Sequence, residues 1–423
     1  MKLPKEWEFR KLGTVVSKQK YAMVDGPFGS NLKSEHYKTS GIPVLQSGFV
    51  TSGKFFAKSY VYVDKELFDQ QRRSAAKGGD LLMAKIGAQA GKCAIIPLDH
   101  PESIIAGNCL KLSFDEEQNS TEFFNMVLAY NYDKNGLCEI KTETAQPAIS
   151  LKSLKDYKVP VPPLSEQKKI AKILSTWDQA ISATEKMLEN SQQQKKALMQ
   201  QLLTGKKRLL DENGISFSEE WQDYHLNKIA EVIVSPVDKK SEPNELPVEL
   251  CNYTDVYYNN LITKKISFMK ATAKKAEIEK YRLKKGDVII TKDSETPGDI
   301  AIPALVSEDL NGVVCGYHLA IIRPKSELID GAFLNYLFSM QKTRYYFFTL
   351  ATGATRFGLS IGAINKAHFR IPNISEQQKI AEILFLVDQE TETLQKKLDC
   401  LKQEKKALMQ QLLTGKKRVK VAA

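Results

Sequence analysis

The run Lys195-Lys196-Ala197-Leu198-Met199-Gln200-Gln201-Leu202-Leu203-Thr204-Gly205-Lys206-Lys207-Arg208 recurs without a change at 405–418. It closes a longer repeat. Residues 165–208 align without a gap on 375–418, at an offset of 210, with 27 of 44 positions identical. Self-similarity at a fixed offset settles the organisation of a chain before any local reading. It divides this one into two halves, each a domain followed by one copy of the repeated segment.

The repeated segment reads as a long helix. Pro162 and Pro163 stop the chain before it, and Ser165 and Ser375 stand as N-cap candidates. Ser375 with Gln378 also makes a capping box, which Ser165 with Lys168 does not. No Gly or Pro intervenes until Gly205 and Gly415, which read as C-terminal stops. The rod so defined is roughly 58 Å long. Its apolar positions step alternately by four and three: Ile170, Leu174, Trp177, Ile181, Thr184, Leu188, Ser191, Lys195, Leu198 and Leu202, with the equivalent series from Ile380 to Leu412 in the second copy. A period of about 3.5 is a coiled-coil seam. The polar interruptions differ between the copies, so the two rods are expected to pair within the chain. Two independent surface helices, each packed on its own domain, are the alternative.

The domains echo each other faintly. Glu6-Trp7 and Glu220-Trp221 open them, Gly79-Asp80 and Gly286-Asp287 each introduce an apolar strand, and the passage from Thr142 to Pro162 parallels that from Thr352 to Pro372. Short apolar runs alternate with turn signals, and helical stretches lie near 120–131 and 330–342. Each domain therefore reads as mixed α/β and rich in strands. The expected division is a first domain at 1–163, a helical region at 164–208, a linker at 209–218, a second domain at 219–373, a second helical region at 374–418 and a tail at 419–423. The fold class is α+β.

Composition narrows the chemistry. Sixty-one Lys and Arg against fifty Asp and Glu leave +11, which favours an acidic partner, nucleic acid before an anionic membrane. Six dispersed Cys without a C-x-x-C pair, and only five His, argue against a zinc site or a disulfide framework and suit a reducing compartment. With no signal-like start and no long apolar run, a cytoplasmic location and no membrane partner are expected. Gly87-Ala-Gln-Ala-Gly91-Lys92-Cys93 is one residue short of a phosphate loop and ends in Cys rather than Ser or Thr. Neither a Gly-rich cofactor turn nor an Asn/Asp-Pro-Pro-aromatic tetrapeptide appears, and hydrolase and zinc-protease motifs are absent. No catalysis and no bound cofactor are expected of this chain alone.

Candidate DNA-binding residues lie in loops whose mixture of Lys, Arg, Asn, Gln, Asp and Glu suits readout of base edges. In the first domain they are Ser30, Asn31 and Lys33, then Lys85, Gln89 and Lys92, then Gln146. In the second they are Lys292, Asp293, Ser294, Glu295 and Arg356. Each could equally be an ordinary solvated turn. The identical basic segments suggest two copies of one partner, with Leu198, Leu202, Lys206, Lys207 and Arg208 in one copy and Leu408, Leu412, Lys416, Lys417 and Arg418 in the other as docking candidates.

Two divergent domains, each followed by Ser-Glu-Gln-x-Lys-Ile-Ala-x-Ile-Leu…Asp-Gln…Lys-Ala-Leu-Met-Gln-Gln-Leu-Leu-Thr-Gly-Lys-Lys-Arg, resemble the specificity subunits of type I restriction–modification enzymes. The Glu-Trp starts and the loop Asp25-Gly-Pro-Phe-Gly-Ser30 are also typical of that family. The resemblance spans the whole chain. It implies a non-catalytic DNA reader of bacterial or archaeal origin, with two target recognition domains joined by two long antiparallel coiled-coil helices in pseudo-twofold symmetry. Each domain would read one half of a bipartite, asymmetric site in double-stranded DNA, and the helices would set the spacing. Two copies of the modification subunit would bind, and restriction subunits could then join. S-adenosylmethionine, ATP and Mg would sit on those partners. A coiled-coil nucleic-acid-binding scaffold, or a self-sufficient nucleic-acid enzyme with an unrecognised site, are the alternatives.

Overall fold

A glycine in the left-handed region allows the chain to turn tightly into a strand. Gly79 (φ 87°) and Gly286 (φ 92°) do this at equivalent places in the two domains. The next residue is a buried Asp that closes the turn: Asp80 accepts from the Lys77 amide at 2.9 Å and Asp287 from the Lys284 amide at 2.8 Å. The wholly buried strands Leu81–Ala84 and Val288–Thr291 follow. The Gly-Asp-apolar motif thus builds the centre of each sheet.

The computed structural model describes residues 3–421. They form two units. One consists of the chain up to Glu185 together with the segment from Lys397 onward, and the other is Lys186–Lys396. Each unit therefore holds one domain, the start of the helix that follows it and the end of the other helix. The helices run Leu164–Leu202 and Ile374–Leu412.

In the first unit, Leu81–Ala84 lies between Cys109–Leu112 and Cys93–Ile95, with Met23–Asp25 at the edge, all antiparallel. A second sheet orders Tyr62–Val63, Ile42–Leu45, Ser103–Ile105 and Ala75–Ala76, its middle pair parallel. Helix Thr121–Asp133 buries Phe123, Phe124, Val127 and Leu128. In the second unit, Val288–Thr291 sits in a five-stranded sheet between Leu319–Pro324 and Pro303–Val306. A three-stranded sheet joins Met269–Ala273, Leu246–Cys251 and Val314–Cys315. The expected helical stretch is there two helices, Gly331–Ser339 and Gln341–Leu350. A two-stranded ribbon feeds each long helix: Glu8–Lys11 with Lys158–Val161, and Gln222–His225 with His368–Ile371. The linker at 209–218 is not featureless. Asp211 and Ile215 close a small turn around Gly214.

The N-caps lie elsewhere than expected. Ser165 and Ser375 are already inside their helices, and Asn373 caps the second one by accepting from the Glu376 amide at 3.0 Å. Pro163 precedes the first helix and offers only its carbonyl, which accepts from Glu166 and Gln167. The motif residue Gln is a clamp in both copies. Gln167 donates to Pro162 O (2.9 Å) and accepts from the Ser120 amide (2.8 Å). Gln377 donates to Pro372 O (2.8 Å) and accepts from the Asp330 amide (2.9 Å). Each long helix is thereby pinned to the start of a shorter helix in its own domain. Gly205 and Gly415, both at φ 71°, end the rods as the sequence indicates.

Candidate nucleic-acid interface

Within each unit the two rod segments run antiparallel. In the first, Glu166, Asp178 and Glu185 meet Arg418, Lys405 and Lys402 in turn. In the second, Glu376, Asp388 and Thr391 meet Arg208, Lys195 and Ser191. The seam Lys of each copy is thus neutralised by the Asp of the other copy's Asp-Gln pair. Ser191, a polar break in the seam, meets the Thr391 hydroxyl at 3.0 Å.

This geometry gives several docking candidates partners within the chain. Leu202 belongs to the core of the second unit and Leu412 to that of the first, while Leu198 and Leu408 pack against those cores. Arg208 binds Glu376 through Nε and Nη2 at 2.7 and 2.8 Å, and Arg418 binds Glu166 and Glu6. Gly205 lies against the Trp221 ring and Gly415 against Trp7, where a Cβ would crowd the indole. Leu202 and Leu412 are buried and Arg208 is half-buried, whereas Arg418 keeps 40% of its side chain exposed. Much of the identity between the copies is therefore explained inside the chain. Lys206, Lys207, Lys416 and Lys417 remain exposed.

The loops beyond the central strands share one frame. The Lys85 amide donates to Asn108 O (2.8 Å), and the Ile149 amide donates to Lys85 O (2.9 Å). In the second unit the Lys292 amide donates to His318 O (2.9 Å), and the Leu359 amide to Lys292 O (3.1 Å). Thr142 and Ala148 close one turn, Thr352 and Gly358 the other.

On this frame the side chains diverge. Lys85 is buried, 3.0 Å from Asp25 and 3.8 Å over the Phe28 ring. Arg73 also holds Asp25, at 2.8 Å. Lys85 therefore positions the loop around Phe28, with its ammonium turned to Asp25. Lys92 is likewise committed, donating to Thr51 O at 2.7 Å. Asn31, Lys33, Gln89 and Gln146 are exposed, with Lys33 3.3 Å from Glu35 and Gln89 accepting from the Tyr132 hydroxyl. Ser30 sits in the turn Gly29–Asn31, and its side chain lies outside the described residues.

In the second unit, the Lys292 ammonium clasps Asp293 at 2.6 and 2.7 Å, and Ser294 is buried with its hydroxyl 3.1 Å from that of Tyr253. These three are framework as placed, and the short pairing of Asp293–Ser294 with Phe357–Gly358 holds them. Glu295 and Arg356 are exposed. Tyr253 and His318 are not among the sequence candidates, and Asp25 stands there only as the first residue of its loop; the partners of all three lie far away along the chain. Burial raises the Tyr253 phenol and lowers the His318 imidazole relative to their ordinary values.

Residues 4–191 and 218–403 each match the type I restriction modification DNA specificity domain. The chain belongs to that family. Two curated relatives from Methanocaldococcus jannaschii are similar over nearly its whole length. The type I restriction enzyme MjaVIII specificity subunit is 25% identical over 99% of this chain and 95% of its own. The putative type I restriction enzyme MjaX specificity subunit has the same identity and coverage. The EcoBI specificity subunit of Escherichia coli is 26% identical over 64% of this chain and 59% of its own. Among solved structures, the type I restriction-modification S subunit from M. genitalium shares the fold with a TM-score of 0.57 at 15% identity, covering 98% of both chains. The family's two domain copies correspond to the two units, each carrying its own loop cluster. Among the described residues, no helix is long and apolar enough to cross a membrane.

Proposed function

We propose that the chain is the non-catalytic DNA-reading subunit of a type I restriction–modification complex, each unit's loops reading one half of a bipartite site in duplex DNA. The observation that carries this reading is the double match to a DNA specificity domain, on two frames that agree in backbone but differ in loop side chains. The excess of 11 positive charges supports a polyanionic partner. The long helices fix the distance between half-sites. The exposed Lys206-Lys207 and Lys416-Lys417 pairs contribute to docking two copies of the modification subunit. That subunit supplies S-adenosylmethionine chemistry, and ATP and Mg belong to restriction subunits. The complex works in the cytoplasm.

Co-expression with modification subunits tests the proposal. Mapping of methylated adenines in cells with and without this chain should yield one bipartite motif that depends on it, and the complex should weigh two modification subunits per chain. A motif that persists without the chain would refute the reading.

A further inference from the structure

A cavity of about 220 Å³ opens in the second unit where the turn Gly316-Tyr317-His318 meets Asn252, Tyr253, Lys239 and Lys240. His318 on its wall is held with a defined chemistry. Its Nδ1 lies 3.4 Å from Asp293 Oδ2. A carboxylate only accepts, so Nδ1 carries the hydrogen and Nε2 of the neutral ring is a bare acceptor. Lys292 clasps the same carboxylate at 2.6 and 2.7 Å, which fixes its orientation. Burial, with Arg356 and Lys292 nearby, outweighs Asp293 and lowers the imidazole below its ordinary value, which favours the neutral ring. Tyr317 packs its ring 3.7 Å from the imidazole, centroid to centroid, and is 42% exposed. Tyr253, Asp238, Lys239 and Lys240 are the other titratable groups on the wall.

The position has a counterpart. Asn108 occupies the same place on the frame of the first unit, its carbonyl accepting from Lys85 as that of His318 does from Lys292. The backbone is shared and the side chain is not, as expected where two domains address different base pairs.

Resting on the proposed function, we infer that His318 is a specificity-determining residue of the second domain: its Nε2 accepts from an exocyclic amino group, adenine N6 or cytosine N4, in the major groove. The cavity with Tyr317 as its wall takes the base edge, and Lys239 and Lys240 lie beside it for the adjacent phosphates.

The test uses the complex with its modification subunits and a library randomised over the second half-site. Wild type should prefer adenine or cytosine at one position by roughly 5- to 150-fold. His318→Ala should flatten that position alone. His318→Lys, which can only donate, should move the preference there to guanine, and lowering the pH below the ordinary histidine range should weaken the wild-type preference. The unaltered first half-site reports in the same molecule that each variant is folded. If both variants keep the wild-type profile at every position while the bipartite motif stands, the inference is overturned. If wild type shows no bipartite motif, the functional reading itself has failed.

Discussion

Arg208 and Glu376 form a two-pronged ion pair 168 positions apart in sequence, with Glu376 fully buried and both donor distances below 3 Å. The pair locks the end of the first long helix to the start of the second. Arg418 and Glu166 repeat it in the other unit, where Glu166 also accepts from the Trp7 indole. Arg208→Ala strands a buried carboxylate. The cost should be about 2 kcal/mol, below the range for a fully enclosed pair because part of the guanidinium meets solvent. Hydrogen exchange should quicken at the start of the helix Ile374–Leu412 and stay unchanged in the first unit. Arg418→Ala should produce the mirror pattern. Equal protection in both units for either variant would show that the pair does not anchor the helix.

The two opening tryptophans differ in one bond. Trp7 Nε1 donates to Glu166 at 3.3 Å, whereas Trp221 Nε1 is buried with no hydrogen-bond partner among the described residues. Phenylalanine removes the same volume from both sites. Trp7→Phe should therefore cost about 1 kcal/mol more than Trp221→Phe. Exchange rates of the ribbons Glu8–Lys11 and Gln222–His225 report the two costs separately, and equal losses would contradict the assigned bond.

Much of this architecture is legible in the sequence, for a physical reason: periodicity and turn chemistry act locally. The 3.5-residue seam from Ile170 to Leu202, the strand after each Gly-Asp and the helix near 120–131 all appear where expected. What escaped is non-local. The partner of Lys85 is Asp25, 60 positions earlier, so a lysine that follows a strand looked like an exposed loop cation. The docking of Leu202, Arg208 and Gly205 depends on Trp221 and Glu376, whose proximity no spacing rule supplies. A signal did exist: a Lys at seam positions 195 and 405, and an Asp at 178 and 388, are polar residues that both copies retain.

The cations of the second domain should separate in a binding series. Arg356 is exposed, while Lys292 is held on Asp293. Arg356→Ala should either relax one base position by about 1–3 kcal/mol or weaken all sequences uniformly and lower the salt slope by about one. Lys292→Ala should leave the salt slope nearly unchanged, because its charge is already neutralised within the chain. A unit drop in slope for Lys292→Ala would place that ammonium on a phosphate after all.

Spacing is tested by lengthening both helices together. An insertion at Leu202–Gly205 would displace the anchors at Leu202, Leu203 and Gly205, so the insertion belongs elsewhere. One heptad added after Glu185 and another after Lys396 preserves the seam and adds roughly 10 Å. At 3.4 Å per base pair, the gap between half-sites should grow by about three base pairs, with both half-sites unchanged. A gap that stays the same would mean that the helices do not set the distance.

Two domains on one frame should read two independent half-sites. The most direct test is to replace residues 219–372 with the corresponding domain of another family member and map methylated adenines in cells that supply the modification subunit. The motif should be new in one half, with the other half and the gap those of the parent. A motif changed in both halves, or changed in neither, would contradict independent reading.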